Sequence, residues 1–288
     1  MGYSARYHAT SLIAVLLALA VGIVIGAALG GDTIDSTREN LERSLTGNLQ
    51  DARDRADELS AELGRANEFA GRVYPVLVRD QLRGRRIGLL ALGDLHGDVQ
   101  EAIEDALEPT GARLVAVGVV REPVDTRALA GELARTRFAD LAGNADTQTA
   151  LGAGVGRQLV FGGTLLEPVR GQLFSRASGN FGALDGVIVA RQQPEEMGPQ
   201  QHAVAGRIES GLVGGIVATR APAVGVEASD AEQSSVSFFV GNDLASVDDV
   251  DLTAGQLATV FALLGAEGSF GVKGSADRLL PDLLAPRE

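Results

Sequence analysis

The chain has 288 residues, of which 45% are hydrophobic and 22% charged, and a formal net charge of −13. That length holds a membrane anchor plus one domain of about 200 residues, and the acidity, without any basic aromatic module, excludes nucleic acid as a partner. Cysteine is absent, which excludes disulfides, thiolate metal sites and thiol catalysis but does not choose a compartment.

After a tail of residues 1–8, no formal charge occurs between His8 and Asp32, a run of 23 residues. About 20 apolar residues in a helix cross a hydrocarbon core about 30 Å thick, so residues 9–31 read as a transmembrane anchor. The alternatives are a cleaved secretion signal ending at Ala28-Leu29-Gly30, although such signals carry a shorter apolar region, and a buried helix of a soluble protein. Small residues recur at every fourth position, at Ala14, Ala18, Gly22, Gly26 and Gly30. In lipid this spacing lets two helix backbones approach closely. Partners expected here are the bilayer and a second copy of the chain. Arg6 precedes the span while Arg38 and Arg43 follow it, so the count of basic residues does not fix orientation.

Residues 34–80 read as a helical stalk. Leu45, Leu49, Ala52, Ala56, Leu59, Leu63, Ala66, Ala70 and Val73 alternate in steps of four and three, the heptad seam of a coiled coil. Ile34 and Leu41 join it through one four-residue stutter. A parallel dimer and a helix folded back on its own domain both fit, since Ala at four seam positions and Gly47 and Gly64 weaken a free-standing rod. Pro75 is expected to end or kink it.

From residue 84 to 288 the pattern is α/β. RIGLLALGD, DVQEAIEDALEPTG and ARLVAVGVV read as strand, helix and strand, hence a parallel pair. LDGVIVAR and GLVGGIVATR read as two further strands around a helix in MGPQQHAVAGRIESG, SSVSFFV as a fifth strand, and TAGQLATVFALLGA as a closing helix. Residues 121–185 carry helical periodicity in ALAGELARTRF and PVRGQLF. The expected architecture is a mainly parallel sheet of four to six strands covered by helices.

Ligands of such sheets sit outside the carboxyl ends of the strands. The first such turn, LGDLHGDVQ, carries Asp94, His96 and Asp98, carboxylates flanking an imidazole that could ligate a divalent metal. The plainer reading makes them turn residues, with Asp98 capping a helix from 98 to 107. A second cluster, Asp248, Asp249 and Asp251, lacks EF-hand spacing and reads as a short strand or turn before a helix capped by Thr253. His202 lies in a helical segment and reads as a surface or core histidine. Neither phosphate-loop spacing nor a nucleophile elbow occurs, so no catalytic constellation is evident and an enzyme is not expected.

The chain resembles the actinobacterial MctB family, the mycobacterial copper transport protein B type, over essentially its full length. The most specific stretches are RYHATSLIAVLLALAVGIVIG, SVDDVD at 246–251 and SFGVKGSADRLLP at 269–281. The resemblance implies a part in copper efflux or homeostasis, with the bulk of the chain outside the cytoplasm in the cell membrane. An outer-membrane channel is the family-based alternative. Barrel pores need strands of about ten alternating residues, which this sequence lacks. Copper(I) prefers thiolate and thioether, copper(II) imidazole, and the three histidines (His8, His96 and His202) are far apart. A dedicated copper relay within one protomer is therefore not expected; copper is the only metal the resemblance implies, and no other cofactor is called for. Two readings stay open: a transport component assembled through anchor and stalk, and a bitopic, non-catalytic scaffold presenting its α/β domain to other envelope proteins. A weaker third is a stalked enzyme using Asp94, His96 and Asp98.

Overall fold

A computed structural model describes residues 5–194 and 196–282, with side-chain detail at 10–28, at 41 and from 44 onward. Gly30, Ile34, Arg6, His8, Arg38 and Arg43, named above, fall outside the side chains described. By contacts the chain divides into two units, 1–66 and 67–288.

One helix, α1 (Ala5–Val78), contains both the apolar run and the heptad seam. Within it Thr10–Ala28, 19 residues, is long and apolar enough to cross a membrane. Its side chains, Leu12, Ile13, Val24 and Ile25 among them, are exposed around the helix, as expected where lipid would be the solvent. Pro75 does not end α1, which continues to Val78. The missing N–H falls in the last turn, and Tyr74 and Val78 on either side of it are buried. The Tyr74 hydroxyl also donates to the Ala106 carbonyl at 2.6 Å.

The second unit is built on one sheet of seven strands: β1 (Arg86–Gly93), β2 (Arg113–Val120), β3 (Phe174–Gly179), β4 (Gly186–Gln192), β5 (Ala223–Val226), β6 (Ala245–Val247) and β7 (Ser269–Phe270). Their order is β3-β2-β1-β4-β5-β6-β7. Every pair is parallel except β2 with β3. The helices are α2 (Gly97–Leu107), α3 (Thr126–Glu132), α4 (Ala145–Phe161), α5 (Leu166–Leu173), α6 (Pro199–Val217), α7 (Val236–Gly241) and α8 (Thr253–Ala262). Successive strand residues point to opposite faces. Leu90 and Leu92 of β1 accordingly join a core with α3 to α7, while Ile87 and Leu89 join one with Tyr74, Val78, α2 and α8. Both faces are covered, so the parallel strands are near-continuous apolar runs.

The α/β architecture and the β1–α2–β2 unit stand as expected. Four elements differ. GLVGGIVATR is not a strand but the second half of α6, and the strand follows it as AVGV in β5. The glycines explain this: a Cβ on Gly211 would lie 2.3 Å from the Thr149 carbonyl oxygen, and one on Gly215 2.3 Å from that of Ala153. The apolar run is thus a helix pressed against α4. SSVSFFV contributes the short helix α7 rather than a strand. The antiparallel edge strand β3 and the two-residue edge strand β7 had no counterpart in the reading, and with them the sheet reaches seven strands rather than four to six. Two caps also move. α2 begins at Gly97 after His96, and Asp98 accepts only the N–H of Val99, its neighbour, at 2.8 Å. Thr253 is the first residue of α8 rather than its cap.

Candidate functional site

Strand order reverses between β1 and β4. From β1 the chain crosses to β2 on one side, whereas β4 leads to β5 on the other. At such a switch point the loops diverge and leave a crevice at the carboxyl edge. A cleft of about 430 Å³ lies there, within the range of small-molecule sites, lined by the residues that close β1, β4 and β5.

Asp94, His96 and Asp98 all border this cleft, and all three are exposed. The Asp94 N–H continues the β1–β4 ladder by donating to the Gln192 carbonyl at 2.9 Å. Proximity along one rim is not convergence: among the described residues, no three Asp, Glu or His side chains form a set that could hold one metal ion. Asp230 and Glu232 line the same cleft, so carboxylates outnumber cations around it. The cleft therefore favours a cationic guest over an anion.

The floor is a half-buried polar network around the buried Glu209. Arg191, at the end of β4, sends Nε and Nη2 to Glu209 Oε2 at 3.2 and 3.1 Å. Its Nη1 reaches Ser235 Oγ at 3.4 Å, and its guanidinium lies 4.4 Å from the Phe238 ring centroid. Gln193 donates to the same Glu209 oxygen at 3.0 Å, and its own oxygen meets His202 Nδ1 at 3.1 Å. His202 is therefore a partner of the floor rather than a member of the rim. The second oxygen of Glu209 and both of Glu122 are buried without a donor. Burial first, and then the facing Glu209, push the Glu122 carboxyl well above the usual carboxylate range, against the pull of Arg191. A protonated Glu122 supplies the donor that this carboxylate pair lacks.

Next to it, Glu227 closes β5. It accepts the Ser235 N–H and, at 2.8 Å, the Nζ of Lys273, which also donates to the Ala228 carbonyl at 2.8 Å. Here the two acidic and glycine-rich stretches of the sequence meet. Asp248 accepts the N–H of Val272 at 2.8 Å and of Lys273 at 3.2–3.3 Å. Gly271, at φ +138, sits where a Cβ would fall 1.9 Å from Asp248 Oδ1. Asp251 holds Ser229 through its N–H and hydroxyl, both at 2.6 Å. SVDDVD and SFGVKG thus build the edge beside the cleft, and they do so through hydrogen bonds within the protein.

Asp249 has no such partner. Both its oxygens are buried without a donor. Burial first, then the charges of Asp248 and Asp251, push its carboxyl up from 3.8 to about 7, with Lys273 opposing. A folded state that keeps a proton the unfolded chain releases loses stability as pH rises. The Asp249 contribution is therefore complete below pH 3.8 and is lost progressively toward pH 7. Asn at this position removes the titration. The melting temperature of Asp249→Asn relative to wild type should climb between pH 4 and 7 and level off above, whereas a difference constant across that window would contradict the assignment.

Arg191, Glu209, Glu227 and Lys273 were not foreseen as site residues. A usable signal existed for two of them: Arg191 and Glu227 are the charges that close the apolar runs VIVA and AVGV, which places them at the carboxyl edge. Glu209 and Lys273 come from distant segments and carry no local mark.

Comparison with known proteins agrees over nearly the whole chain. The family described as "Copper transport outer membrane protein, MctB" matches residues 3–281. Proteins named "Copper transporter MctB" from Mycobacterium bovis and Mycobacterium tuberculosis are each 26% identical to it over 304 aligned positions, covering 90% of this chain and 91% of theirs. With the anchor-length helix, the α/β unit and both edge-building motifs inside the matched span, the chain belongs to the MctB family.

Proposed function

We propose that this protein acts in copper efflux or copper homeostasis as a single-pass envelope protein whose α/β domain stands outside the cytoplasm and meets copper at the β1/β4 cleft. The observation that carries this reading is the match to a copper-transport family over residues 3–281, joined to a cleft whose rim is acidic and bears His96. Copper(II) accepts imidazole and carboxylate ligands; Asp94, His96 and Asp98 border the cleft without converging as one set, so this reading rests on His96, with the remaining ligands supplied by water or a partner. The domain is read as non-catalytic. An open, mainly parallel sheet covered on both faces does not make the closed antiparallel wall of an outer-membrane barrel, so transport in this reading requires several copies or partner proteins.

The second reading, a scaffold presenting the domain to other envelope proteins, is favoured by one observation: the chain has no cysteine and only two methionines, too few soft ligands for a copper(I) relay. Titration of the full chain in detergent with copper(II) separates the two. Loss of even an outer-shell partner weakens metal binding about 10–100-fold, so His96→Ala should weaken it at least about ten-fold. Unchanged affinity would remove His96 from the proposal. No binding by the wild-type chain would remove the copper site and leave the scaffold.

A further inference from the structure

Among the described residues of its own unit, nothing covers the heptad face of α1. Leu45, Leu49, Leu59 and Leu63 are 52–65% exposed, and Ala52 and Ala56 between them are exposed as well. Eight charged residues lie between positions 45 and 66 (Asp51, Arg53, Asp54, Arg55, Asp57, Glu58, Glu62 and Arg65), and none of them falls on the seam. An uncharged stripe of this width in so charged a helix is costly in water. We infer that a second copy of this chain covers it, in a parallel, in-register helix pair running through residues 45–63.

Three observations select that occupant. A seam stepping by four and three is filled by a helix of the same period running alongside, and a second copy has that period over the same length. Both copies carry the anchor-length segment Thr10–Ala28 in the same helix, so one membrane would fix a common direction and a common starting height. The flanking charges also tolerate this register. In heptad geometry Arg53 faces Asn48 of the other copy, Arg55 faces Ser60 and Glu62 faces Asn67, so no like charges meet across the seam. Ala52 and Ala56 make the middle of the contact thin, and three heptads alone are marginal in water. Confinement to a membrane supplies the effective concentration that such a short seam needs. The inference stands independently of the copper reading.

Because the chain has no cysteine, single-cysteine variants of the full protein in membranes report the contact directly. Leu45→Cys, Leu49→Cys and Leu63→Cys should give at least about five-fold more homodimer with iodine as oxidant than the outward-facing Asp54→Cys and Glu58→Cys. All five sites are exposed, so folding is not at stake. Leu49→Asp combined with Leu63→Asp should abolish the cross-link of Leu45→Cys. Equal yields around the helix, absence of homodimer at every position, or adducts whose mass shows another protein would each overturn the inference.

Discussion

Gly156→Ala is expected to cost about 3 kcal/mol, at the upper end for forcing one extra carbon into a packed core. On a unit of this size that corresponds to a fall of roughly 6–12 °C in melting temperature. α4 and α6 meet backbone to backbone. A Cβ on Gly156 would lie 2.1 Å from the Leu212 carbonyl oxygen, and one on Gly152 2.4 Å from that of Ile208, while Gly211 and Gly215 answer from the other helix. The obstacle in each case is main chain, which no rotamer change relieves, so the helices must separate and the core around Leu151, Val155, Ile208 and Leu212 must open with them. Gly214 provides the control within α6, since a Cβ there meets nothing within 4 Å. Gly214→Ala should therefore stabilise by up to about 1 kcal/mol through helix propensity alone. Equal effects of the two substitutions would show that the close approach of α4 and α6 is not what the glycines serve.

Lys273→Met is expected to cost about 3 kcal/mol, the range for removing one partner of a buried ion pair. Glu227 keeps only 3% of its side chain exposed, and without Lys273 its remaining donor is the Ser235 N–H. The loss should be strongly non-additive: Lys273→Met with Glu227→Gln removes both charges and should recover much of the stability of the single variant. Lys273→Met melting like wild type would mean that the pair contributes nothing net. Recovery in the double variant would show that the cost of Lys273→Met is the uncompensated buried charge of Glu227.

How much of this was legible follows from how local each signal is. The β1–α2–β2 unit could be read because an apolar run, an amphipathic period and a second apolar run follow one another without interruption. In α6 the sequence GLVGGIV is apolar on all sides, as a buried parallel strand would be, and only the packing of its glycines on α4 decides for a helix. β3 is exposed at most positions and pairs only at an edge, so it leaves little apolar pattern. The turn holding Asp94, His96 and Asp98 was found because carboxyl ends of strands are where clefts form. The cleft floor was not, because Arg191, Glu209, Glu227 and Lys273 come from four elements and meet only through topology. Of the two acidic clusters, Asp248 and Asp251 are accounted for by hydrogen bonds to Lys273 and Ser229, which spacing alone could not reveal.

The copper content of cells lacking this protein, grown at elevated copper with and without the full chain restored, tests the proposed role directly. A part in copper efflux or homeostasis predicts more copper per cell in its absence and a return to the wild-type level with the full chain. Equal copper content in all three strains would contradict it.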